Sequence, residues 1–222
     1  MDVWIVMPAY NEERTIGGVL DALRREGYSK VIVVDDGSRD RTAKIARSKG
    51  AVVVSHPGNM GLGAALRSGL EAARKRGADR VVTFDADGQH DPKAVRRLLD
   101  ALNGVDIAIG IRQHLGIPLH KRVGNFGLNF ITYLFSGVLT DSQSGSRAFN
   151  RKALERIKIK SNRYEVSSEI IIQARKLGLK VGEVSVKCFY TTYSKARGTT
   201  IASGARIFWG LIKQAWVKTE SE

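Results

Sequence analysis

An α/β fold, with a mostly parallel sheet covered by helices on both faces, is the architecture the sequence predicts. Three observations carry this. Short runs that are apolar at nearly every position alternate with stretches of helical periodicity through the first half of the chain. Strands that read this way are buried on both faces, as parallel strands between two helical layers are. Polar residues directly follow four of the runs, and in such sheets ligands bind beyond the carboxyl ends of the strands. The length, 222 residues, suits one large domain with a substantial core and is tight for two.

The elements follow in order. Val3 to Met7 reads as the first strand, stopped by Pro8, and Thr15 to Leu23 repeats apolar residues at helical spacing. Lys30 to Val34 is the second strand; after Asp35-Asp36-Gly37, Ser38 or Asp40 is placed to cap a helix that Gly50 closes. Ala51 to Ser55 is the third strand, and Ala64 to Arg76 a helix ended by Gly77. Arg80 to Phe84 is the fourth strand; Asp91-Pro92 then supplies an N-cap and a first-turn proline. Val105 to Ile111 makes the fifth. The second half is less regular. Phe126 to Leu139 reads as a helix apolar nearly all round, with only Asn125, Asn129, Thr132 and Ser136 forming a polar stripe. Glu165 to Leu177 reads as a helix, Lys180 to Phe189 as a strand, and Ile201 to Val217 as a last helix.

Composition narrows the class. Apolar content of 43% and charged content of 26% are those of a globular protein. The single cysteine, Cys188, excludes an internal disulfide and any multi-cysteine metal site. No signal peptide is visible, and no apolar run reaches the roughly 20 residues a membrane span needs. The net charge of +14, much of it after Asp141, calls for an anionic partner. Nucleic acid, anionic lipid and phosphorylated substrates all qualify, as does a merely solvated basic surface. Charge does not choose among them.

The motifs do more. Tyr10-Asn11-Glu12, Asp35-Asp36, Asp85-Ala86-Asp87 and Arg112 fall at four predicted strand ends and point to one crevice. Asp85 and Asp87 are alternate residues of an extended chain, so both carboxylates face one point outside the sheet. Two carboxylates held together repel unless protonated or bridged, and hard oxygen donors suit Mg²⁺ or Mn²⁺. Gln89 and His90 lie close enough in sequence to complete such a site; an Asx-turn opening the next helix is the structural alternative. Asp35-Asp36 matches acids that accept from a base or ribose, an acid pocket of response-regulator type, or a plain turn. Gly61-Leu62-Gly63 marks a tight loop that lets the backbone approach a ligand or pack closely.

Taken together the motifs resemble the GT-A glycosyltransferases of family 2, specifically the dolichol-phosphate mannose and glucose synthase group. The matching stretches are Pro8 to Glu13, Val34 to Ser38, Asn59 to Gly63, Phe84 to His90 and Asp141 to Phe149, in family order between Met1 and about Lys195. The resemblance implies a single GT-A catalytic domain over 1–222. Residues 1–112 would bind the nucleotide sugar, 113–200 would form the acceptor side, and 201–218 would be an amphipathic helix. It also implies roles. Pro8, Tyr10, Glu12 and Asp36 would hold the nucleotide, with Val34 near the base. Asp85 and Ala86 would contact the nucleotide sugar. Asp87 and Gln89, beside Asp85, would ligate the cation. Arg112 would meet the diphosphate, and Lys195 would close over it. Mannose synthases of the group carry an arginine shortly before the Ser194-Lys195 pair, where this chain has Cys188 to Tyr193. The departure leaves the donor open among GDP-mannose, UDP-glucose and UDP-N-acetylglucosamine.

The expected reaction passes a hexose to dolichyl or polyprenyl phosphate. A phosphate monoester is already anionic near neutral pH, with a second pKa of about 6, so it can attack without a protein base. Asp141 and Glu169 are therefore expected only to order the acceptor side. Lys121 and Arg122, in a loop that also carries His114 and His120, are the candidates for the acceptor phosphate. Ile201, Ala205, Phe208, Trp209, Ile212 and Trp216 lie on one arc, with Arg206 and Lys213 beside it. That arc suits either an interfacial helix or one packed on its own core. The first reading makes the protein peripheral, on the cytoplasmic face of the membrane. Two rival functions stay open: a soluble family 2 transferase extending a sugar or polysaccharide, and a basic nucleic-acid-binding protein. The latter has only charge in its favour, since the strongest motifs are acidic, and no nucleic-acid partner is expected.

Overall fold

The structure, a computed structural model, describes residues 1–112 and 145–187. The chain runs β1 (Val3–Ala9), α1 (Ile16–Arg25), β2 (Val31–Asp35), α2 (Thr42–Ser48), β3 (Val52–Ser55), α3 (Leu62–Lys75), β4 (Arg80–Thr83), α4 (Ala94–Ala101) and β5 (Ile107–Arg112). After the second described segment begins come β6 (Arg147–Asn150), α5 (Arg151–Arg156), α6 (Val166–Lys176) and β7 (Val181–Val186). The strands form one seven-stranded sheet in the order β3-β2-β1-β4-β6-β5-β7. All neighbours pair parallel except β6, which is antiparallel to both β4 and β5.

Alternation along the strands sorts the core into two layers. Val6, Ile32, Val34, Val81, Ile107 and Phe149 face Leu66, Leu70 and Ala73 of α3, Leu154 of α5, and Ile170, Ile171 and Ala174 of α6. Ile5, Met7, Val31, Val33, Val82, Ala108 and Ala148 face Ile16, Leu20 and Leu23 of α1, Ala46 of α2, and Val95, Leu98 and Leu99 of α4. Each large aliphatic side chain so buried contributes about 1.5–3 kcal/mol, and these contacts fix the strand ends that carry the site.

Two local expectations change. β1 runs through Pro8 to Ala9, with Pro8 in register with Val34. β4 leaves its pairing with β1 at Thr83, opposite Val6. Pro8 belongs with Val6 to the alternate set turned toward β4, so at its position the neighbour is gone and its missing N–H goes unneeded. β6, with the short helix α5 behind it, inserts an antiparallel strand where the sequence shows none. Among the described residues, no helix is long and apolar enough to cross a membrane.

The path β1→β2→β3 runs outward on one side, and β4 then returns to the other side of β1. The carboxyl ends of β1 and β4 therefore flank a topological switch point, where sheets of this kind open a crevice.

Candidate active site

Asp85 and Asp87 lie in the turn after β4, at that crevice. β6 enters beside them from the same edge, and Thr83 ties the two together. Its Oγ1 donates to the carbonyl of Gly145 at 2.7 Å, and the N–H of Arg147 donates to Thr83 Oγ1 at 3.1 Å. The tie presses the Gly145 backbone against Asp85. A Cβ at Gly145 would stand 2.2 Å from Asp85 Oδ2, so only glycine leaves room for that carboxylate. His90 Nε2 lies 3.0 Å from the same oxygen, its buried ring packed edge-on to Phe84 at 5.7 Å. Asp87 accepts from the backbone N–H of Gln89 at 2.9 Å and from the Gln89 side-chain amide. Burial, and then the charge of Asp85, raise the Asp87 carboxyl to about 6. The Gln89 N–H and His90 pull it down and Glu12 pushes it up. Two carboxylates are thus held together with less positive charge around them than they need.

The neighbouring acids behave differently. Asp36, 4% exposed, accepts from the N–H of Met60 at 2.9 Å and of Gly61 at 2.8 Å, the amides that lead into α3. His56 Nδ1 lies 2.7 Å from Asp36 Oδ1. Asp35 accepts from the N–H of Ser38 at 3.2 Å. Asn11, at φ 54, is locked across the turn: its N–H donates to Ser38 Oγ and its side chain accepts from the N–H of Arg39. Glu12 donates its N–H to Thr42 Oγ1 at 2.7 Å and accepts from Thr15 Oγ1 at 3.0 Å. Tyr10 is 40% exposed at the lip. The Gly61-Leu62-Gly63 loop packs closely. Its glycines abut the carbonyls of Asn162 and Ser161, and the N–H of Ala64 donates to Asn162 O at 3.1 Å.

The crevice therefore gathers Pro8, Tyr10, Glu12, Asp36, Asp85 and Asp87 at one edge, with the backbone of Arg112 ending β5. The Val34 side chain is fully buried in the layer under α3, so only its backbone is left to lie near a base. The Ala86 side chain likewise belongs to the core, leaving only its backbone for a ligand. Gln89, expected as a cation ligand, donates its side-chain amide to Asp87. Glu169 is spent inside the protein, accepting from the N–H groups of Lys160 and Ser161. Those bonds shape the strap that abuts Gly61 and Gly63, not an acceptor pocket. Lys121, Arg122, His114, His120, Asp141, Lys195 and the helices predicted over 126–139 and 201–217 lie outside the described residues. Two participants carry no signal in the sequence: His56, and the Thr83–Gly145 tie.

A sequence profile described as glycosyl transferase family 2 matches residues 4–158. The chain belongs to this family. The glycosyltransferase is 49% identical to an uncharacterized protein of Methanocaldococcus jannaschii over 96% of this chain and 92% of that one. It is 39% identical to the UDP-N-acetylglucosamine–dolichyl-phosphate N-acetylglucosaminyltransferase of Methanococcus voltae, over 95% of this chain and 94% of that one. Among solved structures it resembles glucosyl-3-phosphoglycerate synthase from Mycobacterium tuberculosis, in complex with Mn²⁺, UDP and glucosyl-3-phosphoglycerate. The TM-score is 0.72 with 25% identity, over 93% of this chain and 75% of that one. The fold of the transferase is thus GT-A, as its motifs imply.

Proposed function

We propose that the transferase moves a hexose-type sugar from a nucleotide diphosphate donor to a polyprenyl phosphate such as dolichyl phosphate. The observation that carries this reading is the Asp85–Asp87 pair at the β1/β4 switch point, two carboxylates crowded enough to raise one of them to about 6. Such a pair is completed by a divalent cation, and the donor set, hard carboxylate oxygens, fits Mg²⁺ or Mn²⁺. Among the described residues no group of three or more His, Cys, Asp or Glu side chains forms a cage. A Mg²⁺ site of one or two carboxylates completed by substrate phosphates and water needs none. Asp85 and Asp87 would hold the cation, with Gln89 orienting Asp87. When bound, it supplies counter-charge to the departing nucleotide diphosphate.

The chain's own residues do the rest. Exposed Tyr10 and half-buried Pro8 offer a surface for the base. Asp36 acts on the nucleotide through the Met60–Gly61 turn that it holds. Arg112 and Lys195 would meet the diphosphate, and Lys121 and Arg122 the acceptor phosphate. An acceptor phosphate oxygen forms the new bond to the anomeric carbon as the bond to the diphosphate oxygen breaks, inverting the centre. No protein base is required. The name of the Methanococcus voltae relative supports both the acceptor class and a UDP-linked donor. The division at 112 and 200, and a peripheral position on the cytoplasmic face of the membrane, belong to the same reading.

The decisive experiment offers UDP-N-acetylglucosamine, UDP-glucose and GDP-mannose, with Mn²⁺ or Mg²⁺, to a short polyprenyl phosphate and to the free polyprenol. Transfer is expected from one donor, to the phosphate alone. Equal transfer to the alcohol would require a base and reject the mechanism. Transfer only to a sugar acceptor would favour the soluble, chain-extending alternative.

A further inference from the structure

One buried cluster beside the crevice has no part in the acidic metal site. Ser68 Oγ lies 2.9 Å from His56 Nε2, and His56 Nδ1 lies 2.7 Å from Asp36 Oδ1. The same Asp36 carboxylate accepts from the N–H groups of Met60 and Gly61. The side chains of His56 and Asp36 are 8% and 6% exposed, so water does not compete for these bonds. His56 is also tied through its backbone, its N–H donating to Asp35 O at 2.9 Å.

The order serine, histidine, aspartate is that of a hydrolase relay, but the setting is wrong for one. Ser68 sits within the 14-residue helix α3. The N–H groups around it are committed to the helix, leaving no donors for an oxyanion. The serine is the terminal brace here, and the product of the relay is the position of Asp36.

We infer that His56 is a positioning residue for nucleotide binding, setting the Asp36 carboxylate so that the Met60–Gly61 turn stays in its binding-competent shape. This rests on the reading of the crevice as a nucleotide-sugar site. Asp36 shares Oδ1 between Met60 and His56 and gives Oδ2 to Gly61. The two amides hold one oxygen each, and the Nδ1–H of His56 adds a third bond, on Oδ1, that stiffens the carboxylate against the turn it holds, while Ser68 fixes the imidazole plane. In the neutral ring Nε2 accepts from the serine hydroxyl; in the protonated ring it donates. Nδ1 donates to Asp36 in both. On its other side the loop rests on the Ser161–Asn162 strap that Glu169 holds. Two buried carboxylates thus clamp one loop.

The test compares H56A, H56N and S68A. Asparagine places an amide N–H₂ where Nδ1 stands, keeping the bond to Asp36 while losing Ser68. Affinity for UDP and for GDP, each with Mn²⁺, is read by calorimetry. Protection of the Met60 and Gly61 amides is read by hydrogen exchange in the nucleotide-free protein. H56A is expected to weaken binding about tenfold and to speed exchange at both amides by a similar factor, while H56N stays within about threefold of wild type. Donor KM should rise with kcat at saturation little changed. If H56A does not purify folded, S68A carries the test, with exchange expected to rise about threefold. Unchanged exchange in H56A or, in its place, S68A overturns the role, as does an H56N no better than H56A, which would indicate packing alone. Wild-type protein that binds neither nucleotide overturns the nucleotide reading, and this role with it. Nucleotide binding retained by wild type alongside unaltered exchange in the variants overturns the role of His56 alone.

Discussion

Two acidic pairs stand at the carboxyl ends of β2 and β4, the strands on either side of β1, and their surroundings are opposite. After β2, Asp36 is met by two backbone N–H groups leading into α3 and by His56, and Asp35 by the N–H of Ser38. A helix N-terminus is the partially positive end, so this carboxylate is satisfied by the protein itself. After β4, Asp87 faces the like charges of Asp85 and Glu12, and burial and repulsion drive its carboxyl to about 6. The same residue type thus builds loop structure at one strand end and holds unbalanced charge at the other. A buried imbalance costs stability, and the chain keeps it where a cation would cancel it. Chemistry is to be sought at the second pair.

The comparison predicts its own largest effect. D87A should lower transfer by about a thousandfold or more while leaving the fold intact, since it would remove a proposed cation ligand from a reachable crevice. EDTA should do the same to wild type. Turnover that survives both would break the contrast at its root. A smaller but sharper effect is expected of G145A. The added methyl would stand 2.2 Å from Asp85 Oδ2, forcing the carboxylate aside. Activity should fall about ten- to a hundredfold, roughly the scale of a displaced charge-stabilising group. The loss should come with little change in melting temperature, because the clash is with a side chain at the crevice. A large drop in stability with normal specific activity would show that Gly145 serves packing rather than Asp85.

Much of this contrast is legible in the sequence, and the rest is hidden for definite reasons. β1 to β5 are announced by apolar runs ended by turn residues, so the sequence alone places Asp36, Asp85 and Asp87 at carboxyl ends of strands. β6 sends no such signal. It has four residues, begins with Arg147, and its alternation is too short to outweigh the polar Asp141–Ser146 stretch before it. Without β6 the nearness of Gly145 to Asp85, far apart in the chain, cannot be deduced. Pro8 misleads because a proline normally ends a strand, and only the early exit of β4 removes the objection. Val34 is legible only in part: the motif around it points at a ligand, while strand alternation turns its side chain under α3. His56, Ser68 and Asp36 come from a loop, a helix and a strand end with no common period. Their meeting is a product of packing alone.

The smallest effect bears directly on the imbalance itself. An unfolded chain holds Asp87 near the ordinary 3.8, while the folded, metal-free protein holds it at about 6 because of burial and then the charge of Asp85. Between those values the folded state binds the extra proton, and stability falls with rising pH wherever the folded state binds more protons. The favourable contribution of protonated Asp87 is therefore complete below about pH 4 and lost as pH passes through 6. The shift of about two units corresponds to no more than about 3 kcal/mol, less for a side chain that is only partly buried, so a fall of a few degrees in melting temperature is expected. Other carboxylates act in the opposite sense. Asp106 is held below its usual range despite its burial, by bonds from Asn150, the Lys180 N–H and Lys152, and loses its contribution as pH falls. The measurement is therefore the difference between wild type and D87N, which cannot titrate at that position. Metal-free wild type should lose stability relative to D87N from pH 4 to 7. Millimolar Mn²⁺ should restore it above pH 6 and do progressively less below, since the cation requires the ionised carboxylate. Parallel curves for the two proteins, with or without Mn²⁺, would mean that the pair after β4 is as well satisfied as the pair after β2.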